Sequence, residues 1–179
     1  MDFTEIPRWA PVAAAIAAAI SAFAAWRAAA LNARQASRGR ETLALQLALE
    51  LEKDFFRDEY MVARRRDVAS AVKRGDKEHP GMRDIIGFLD TVGALLRRGV
   101  IDEGLAFHNF GRLAVFYREC CADFISARRA VAPKAWSDFD EELIHRMTGY
   151  MRENEHGMPT RGTPLYHRML DDEASLDGR

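Results

Sequence analysis

The chain has 179 residues, with 26 lysines and arginines against 27 acidic residues and a formal net charge of -1. That length suits one domain with a core of its own, and the near-neutral balance excludes a whole-molecule basic field that would draw it onto nucleic acid. Only two cysteines are present, the neighbours Cys120 and Cys121; adjacent helical residues point about 100° apart, which disfavours a disulfide between them and a disulfide-stapled secreted fold.

Alanine, leucine, arginine and glutamate dominate and alternating β-branched runs are nearly absent, so the expected fold is all-α. No charge interrupts Trp9 to Trp26, where ten alanines lie between Ala10 and Ala25 with Val12, Ile16, Ile20 and Phe23. The two tryptophans are spaced by roughly 25 Å of helix, near the thickness of a thin hydrocarbon layer. Residues 9–27 are therefore expected to form one transmembrane helix, with 1–8 as a short extracytoplasmic segment. Arg27, Arg34, Arg38 and Arg40 follow, with no acid before Glu41; by the positive-inside rule the C-terminal side is cytoplasmic, at an inner (plasma) membrane, and these arginines are a candidate contact for anionic lipid. A cleaved signal peptide fits less well, because its leading segment should be basic and Met1 to Arg8 is net acidic. Small residues at four-residue spacing (Ala14, Ala18, Ala22 and Ala17, Ser21, Ala25) suit close approach of a second helix and so self-association.

Beyond the anchor, residues 28–156 read as a small antiparallel bundle of four to five helices. Leu43, Leu47, Leu51 and Phe55 form one apolar line over 41–56, with Leu45, Leu49 and Phe56 beside it, and Gly39 is the first place the preceding helix could bend. A helix over 58–73 ends at Gly75, and 75–81, with His79 and Pro80, is the clearest loop. Met82, Ile85, Ile86, Leu89, Val92, Gly93 and Leu96 keep helical spacing up to Gly99; Asp102 caps a helix running towards Pro133, and a last helix sets Trp136, Phe139, Leu143, Met147 and Tyr150 inward. Residues 157–179, rich in proline and glycine, are expected to be disordered apart from a turn at 166–170.

The run Phe88-Leu89-Asp90-Thr91-Val92-Gly93-Ala94-Leu95-Leu96-Arg97-Arg98-Gly99-Val100-Ile101-Asp102-Glu103, after an anchor and a long helix, resembles an uncharacterised bacterial family, the domain of unknown function number 4760. The resemblance is strongest over residues 55–125. It implies a membrane-anchored helical domain and supplies no activity and no functional residues.

Glu142-x-x-His145 and Glu153-x-x-His156 have the spacing of carboxylate-bridged metal sites, but such sites need the two motifs on different helices. Here one helix carries both, roughly 16 Å apart along its axis. Cys120 and Cys121 read as small core residues, and His108 lies about three turns from them. Arg64, Arg65 and Arg66 cover too much circumference for all to face water, so at least one packs its stem at the core edge and pairs with a carboxylate such as Asp90. Alternatively Arg64, Arg65 and Arg66, with Arg97 and Arg98, form an anion or partner site. No cofactor and no metal is expected.

These features point to a non-catalytic interaction or scaffold module at the cytoplasmic face of a bacterial inner membrane. Its expected partners are membrane lipid and either copies of itself or another membrane-associated protein, with no small-molecule substrate and no nucleic acid. Two other readings stay open: an anion-binding regulator acting through the arginines on lipid head groups or nucleic acid, and an effector enzyme whose site, drawing on His108, His145 and Glu142, forms only on oligomerisation.

Overall fold

The computed structural model describes residues 10–154 and 156–176, apart from a number of side chains between Ala10 and Glu41. Among them every regular element is helical: α1 (Ala10–Phe56), α2 (Glu59–Lys73), α3 (Gly81–Arg97), α4 (Glu103–Cys120), α5 (Ala122–Val131), a π-helical segment (Asp138–Ile144) that leads into α6 (His145–Glu153), and α7 (Pro164–Ala174). The protein is all-α, as its composition predicts. It divides into two compact units, residues 1–43 and 44–179.

In the first unit α1 runs through Gly39 without the expected bend, as its high alanine content favours. Every side chain described between Ser21 and Leu43 is exposed. Among the described residues no helix is long and apolar enough to cross a membrane, so the spanning helix expected over 9–27 is not supported. Alanine carries little transfer free energy, and α1 continues past Arg27 to Phe56. Residues 1–9 lie outside the described residues, as do the side chains of Arg34, Arg38 and Arg40 and of Ala14, Ala17, Ala18 and Ala22.

The second unit holds the core. The last turns of α1 deliver Ala48, Leu51 and Phe55 to it, while Leu45 and Leu49 stay half exposed, so the apolar face there is narrower than its leucines suggest. Asp58 and Asp102 start α2 and α4 by accepting from the backbone N–H of Met61 (3.0 Å) and Leu105 (2.9 Å). Gly75 and Gly99 follow α2 and α3 at φ of +79° and +65°, which only glycine adopts freely. The buried residues of α3 are those its spacing predicts, Met82 to Leu96.

α3 packs closely against the π-helical segment at Gly93. A Cβ on Gly93 would lie 2.2 Å from the carbonyl oxygen of Asp138, so only glycine lets the two backbones approach this far. One turn earlier, Asp90 Oδ1 accepts from the Phe139 backbone N–H at 2.8 Å. Asp90 therefore serves the start of the π segment and is not the partner of Arg65. Burial pushes its carboxyl above the ordinary value, against the downward pull of the Phe139 N–H.

Two expectations about helix boundaries are corrected. The helix from Asp102 breaks at Cys121 into α4 and α5. The last helix does not run straight from Pro133: Trp136 takes a left-handed backbone (φ 53°). Arg129 braces that turn by donating to the carbonyls of Ala135 (3.1 Å) and Trp136 (3.0 Å) and pairing with Asp140. Phe139, Leu143 and Met147 are buried as expected, Tyr150 only partly.

The largest correction is the tail. Residues 164–174 form α7, opened by the Thr163 hydroxyl accepting from the Tyr166 N–H (3.2 Å) with Pro164 in the first turn. Tyr166, Leu170 and Glu173 are buried. The folded unit thus has more helices than the four to five expected.

Gly93→Ala should lower unfolding stability by about 1–3 kcal/mol, the usual cost of overpacking against atoms that cannot move aside. Gly87→Ala in the same helix, with nothing within 4 Å of its added Cβ, should raise it by about 0.5–1 kcal/mol. Urea titration of the two variants reads both signs.

Candidate functional site

The most strongly built polar constellation lies where the end of α1, α2, α4 and α7 meet. Arg65 is only 4% exposed. Its Nε donates to Glu173 Oε2 at 2.9 Å and its Nη2 to Glu173 Oε1 at 2.6 Å, a two-point grip on one carboxylate. Nη1 donates to the Phe55 carbonyl at 3.1 Å, and the guanidinium lies 4.9 Å from the ring centres of both Phe55 and Phe56. The Tyr117 hydroxyl also donates to Glu173 Oε2. Burial acts to lower the Arg65 pKa, but hydrogen bonds to Glu173 and its charge reverse this and leave it raised. Burial and then the Glu173 charge push the Tyr117 phenol well above its ordinary value.

The five arginines of the expected anion site do not come together. Arg65 takes the inward, paired role foreseen for one of them, but with Glu173. Arg64 sits 3.1 Å from Asp84 and 4.8 Å over the Tyr60 ring, and Arg66 is 3.7 Å from Asp67. Arg97 donates to Asp138 at 3.1 Å. Asp84 and Arg97 stand at opposite ends of α3, roughly 20 Å apart at 1.5 Å per residue. Arg98 caps the end of α3 and is exposed. Of the four arginines expected to meet anionic lipid, Arg27 is exposed.

An open cleft of about 450 Å³ lies between α2, α4, α5 and α7, with Val72, Cys120, Phe124, Tyr166 and Leu170 among its lining residues, and neither Arg65 nor Glu173 lines it. Its rim charges balance: Lys73 lies 2.6 Å from Asp171, Lys77 and Arg161 share Asp123 (3.2 and 3.9 Å), and Asp76 adds a third carboxylate to the lining. Such exposed, balanced pairs leave little net field for a charged ligand.

Among the residues considered for catalysis, Glu142 lies in the π-helical segment, His145 opens α6 and His108 is on α4. His108 and His145 are exposed, and Glu142 pairs with Arg146 at 3.0 Å. His156 stacks on Phe107 with ring centres 5.4 Å apart. Among the described residues no group of three or more His, Cys, Asp or Glu could hold a metal ion. Both cysteines are buried and unpaired with each other. Burial pushes the Cys120 thiol up to about 12 and Cys121 well above its ordinary value, the reverse of what activates a nucleophile. The Cys120 thiol donates instead to the Tyr166 hydroxyl, 3.6 Å away.

Glu173, Tyr166 and Arg161 are the residues that sequence reasoning missed. The signal was present in Thr163-Pro164, a cap followed by a first-turn proline, with Tyr166, Leu170 and Glu173 then falling on one helical face.

Glu173→Ala and Arg65→Ala should each cost about 3–5 kcal/mol in a denaturant titration, because each leaves a buried charge unmatched. Arg65→Met combined with Glu173→Met should cost much less than the two single losses together. The thiols and the Tyr117 and Tyr166 phenols hold their protons longer in the fold than in the unfolded chain. The contribution of Cys120 to stability is whole below the ordinary thiol value of 9.0 and is lost as pH rises towards about 12, and the other three groups act in the same direction. The melting temperature should therefore fall steeply above pH 9, and native Cys120 and Cys121 should resist alkylation at pH 8 until the chain is unfolded.

No curated protein and no solved structure matches this chain. A family model described as a domain of unknown function (DUF4760) matches residues 12–149, most of the chain's length and including the α3 run that carries the resemblance. The chain therefore belongs to the DUF4760 family.

Proposed function

We propose that the protein is a membrane-associated, non-catalytic helical interaction module. Residues 44–176 supply the folded body, and the N-terminal part of α1 supplies the contact with lipid. The observation that carries this reading is the exposure of that helix: Phe23 is 61% and Trp26 67% exposed, with their ring centres 5.9 Å apart, and Leu31 is exposed as well. Large rings left in water next to a cation suit the boundary between head groups and acyl chains, where an indole body sits in the apolar layer and its polar edge stays wet. Arg27 follows Trp26 directly, and Arg34, Arg38 and Arg40 add to a basic run that an anionic surface attracts by about 1 kcal/mol per charge. Held there, the body would engage copies of itself or another membrane-associated protein.

The other two readings draw less support. An anion site over Arg64, Arg65, Arg66, Arg97 and Arg98 would need cations free to receive a ligand, and four of these five already face carboxylates within the chain. An enzyme site from His108, His145 and Glu142 would have to be completed by groups from elsewhere.

Flotation with vesicles tests the proposal. The full-length chain should rise with vesicles containing phosphatidylglycerol and much less with phosphatidylcholine alone. Phe23→Ala with Trp26→Ala should weaken the association by roughly tenfold or more, in line with about 1.5–3 kcal/mol for each apolar side chain that leaves the lipid. A wild-type chain that stays in the aqueous fraction with both vesicle types would overturn the reading.

A further inference from the structure

We propose that the face formed by α2 and α4 is a helix-docking groove that α7 fills from within its own chain, and that the α7 of a second copy can take its place. The stripe that α7 buries is Tyr166, Leu170 and Glu173, positions i, i+4 and i+7 of one helix face, which is how an amphipathic helix seats in a groove. At one end Tyr166 lies against Phe116, ring centres 5.5 Å apart, with its hydroxyl on the Cys120 thiol. At the other end Arg65 holds both carboxylate oxygens of Glu173 and Tyr117 donates to one of them. An apolar socket at one end and a two-point carboxylate receptor at the other fix both the direction and the register of the helix between them.

The receptor is arranged by parts of the chain other than its occupant. Arg65 is oriented by the Phe55 carbonyl and by the rings of Phe55 and Phe56, none of which belongs to α7. The family model ends at residue 149, ahead of α7 at 164–174, so the groove belongs to the domain and its occupant follows it. Outside the buried stripe, the ties that hold α7 and its approach are exposed: Lys73 with Asp171, and Arg161 with Glu119. The connecting loop includes Gly157 and Gly162, the latter at φ +90°, so it can change course when α7 leaves. Once vacated, the groove presents a buried cation without its anion and a phenol without its acceptor. It then selects any helix with the same three anchors, and a second copy carries them by identity.

Hydrogen exchange on the unmodified full-length chain is the first test. Amides of 165–175 should exchange at least tenfold faster than those in the middle of α4, reporting that α7 opens as a unit. Equal protection of the two helices would overturn the proposal. The second test adds a labelled peptide spanning residues 162–176 to full-length Tyr166→Ala/Leu170→Ala, whose own α7 is weakened. Saturable binding is expected, at least tenfold weaker for a peptide carrying Glu173→Ala. No binding to a variant that keeps its helical circular dichroism, or equal binding of the two peptides, would overturn it; should that variant unfold, hydrogen exchange on the unmodified chain still decides.

Discussion

Taking a guanidinium out of water costs several kcal/mol unless each of its nitrogens finds an acceptor and the charge finds its opposite. Arg65 meets both conditions only because four stretches of chain converge on it: the Phe55 carbonyl at the end of α1, its own helix α2, Tyr117 on α4 and Glu173 on α7. Each contributes something the others cannot. The carbonyl takes the third guanidinium nitrogen, the rings of Phe55 and Phe56 lie together on one side of it, and Tyr117 satisfies a carboxylate oxygen that Arg65 also uses. A pair of this kind adds less net stability than apolar residues of the same volume would, and its larger effect is selectivity. Only one placement of α7 satisfies all the buried groups at once, so the pair specifies where the last helix lies more than it strengthens the fold.

A second constraint, at the far side of α3, explains the run of residues that carries the family resemblance. Leu89, Val92 and Leu96 are core residues, as their spacing suggests. The polar and small residues between them have another purpose: Asp90 accepts the N–H of Phe139, Gly93 gives way to the backbone of Asp138, and Arg97 donates to the Asp138 side chain. Three successive turns of one helix thus receive the start of the π-helical segment. A π-helical turn is seldom stable alone, and it persists where surrounding contacts over-determine it. Here they come from α3 on one side and from Arg129, gripping the turn at Ala135 and Trp136, on the other.

Helical periodicity made α2, α3 and the N-cap of α4 legible in the sequence, because their apolar spacing, their caps and the glycines that end them all agree. It also made one buried, paired arginine legible, since a helix cannot turn three consecutive arginines all to water. Which carboxylate it meets was not legible: Asp90 and Glu173 are equally acceptable as text, and the choice depends on whether residues 164–174 fold. Those residues were misread because the prolines and glycines around them signal irregular chain, whereas Pro164 in a first turn favours a helix and Gly162 lies outside it. The break at Cys121 and the left-handed Trp136 leave no periodic signature, being consequences of what packs around them. The cysteines were legible as core residues, and their raised thiol pKa values follow from the same burial.

Charge is used differently along the chain. Between 44 and 176, Arg64, Arg65, Arg97 and Arg129 are each set against a carboxylate of the same body, so little of their field reaches outward. Between 21 and 43 the sequence has four arginines against one acid, Glu41, and Arg27 directly follows the exposed Trp26. A cation already matched gains little from a new anion, whereas a stretch in which cations exceed acids is drawn to an anionic surface. In the function proposed above, this asymmetry is the reason that recognition falls to shape and helix packing in the body, and contact with lipid to the N-terminal part of α1.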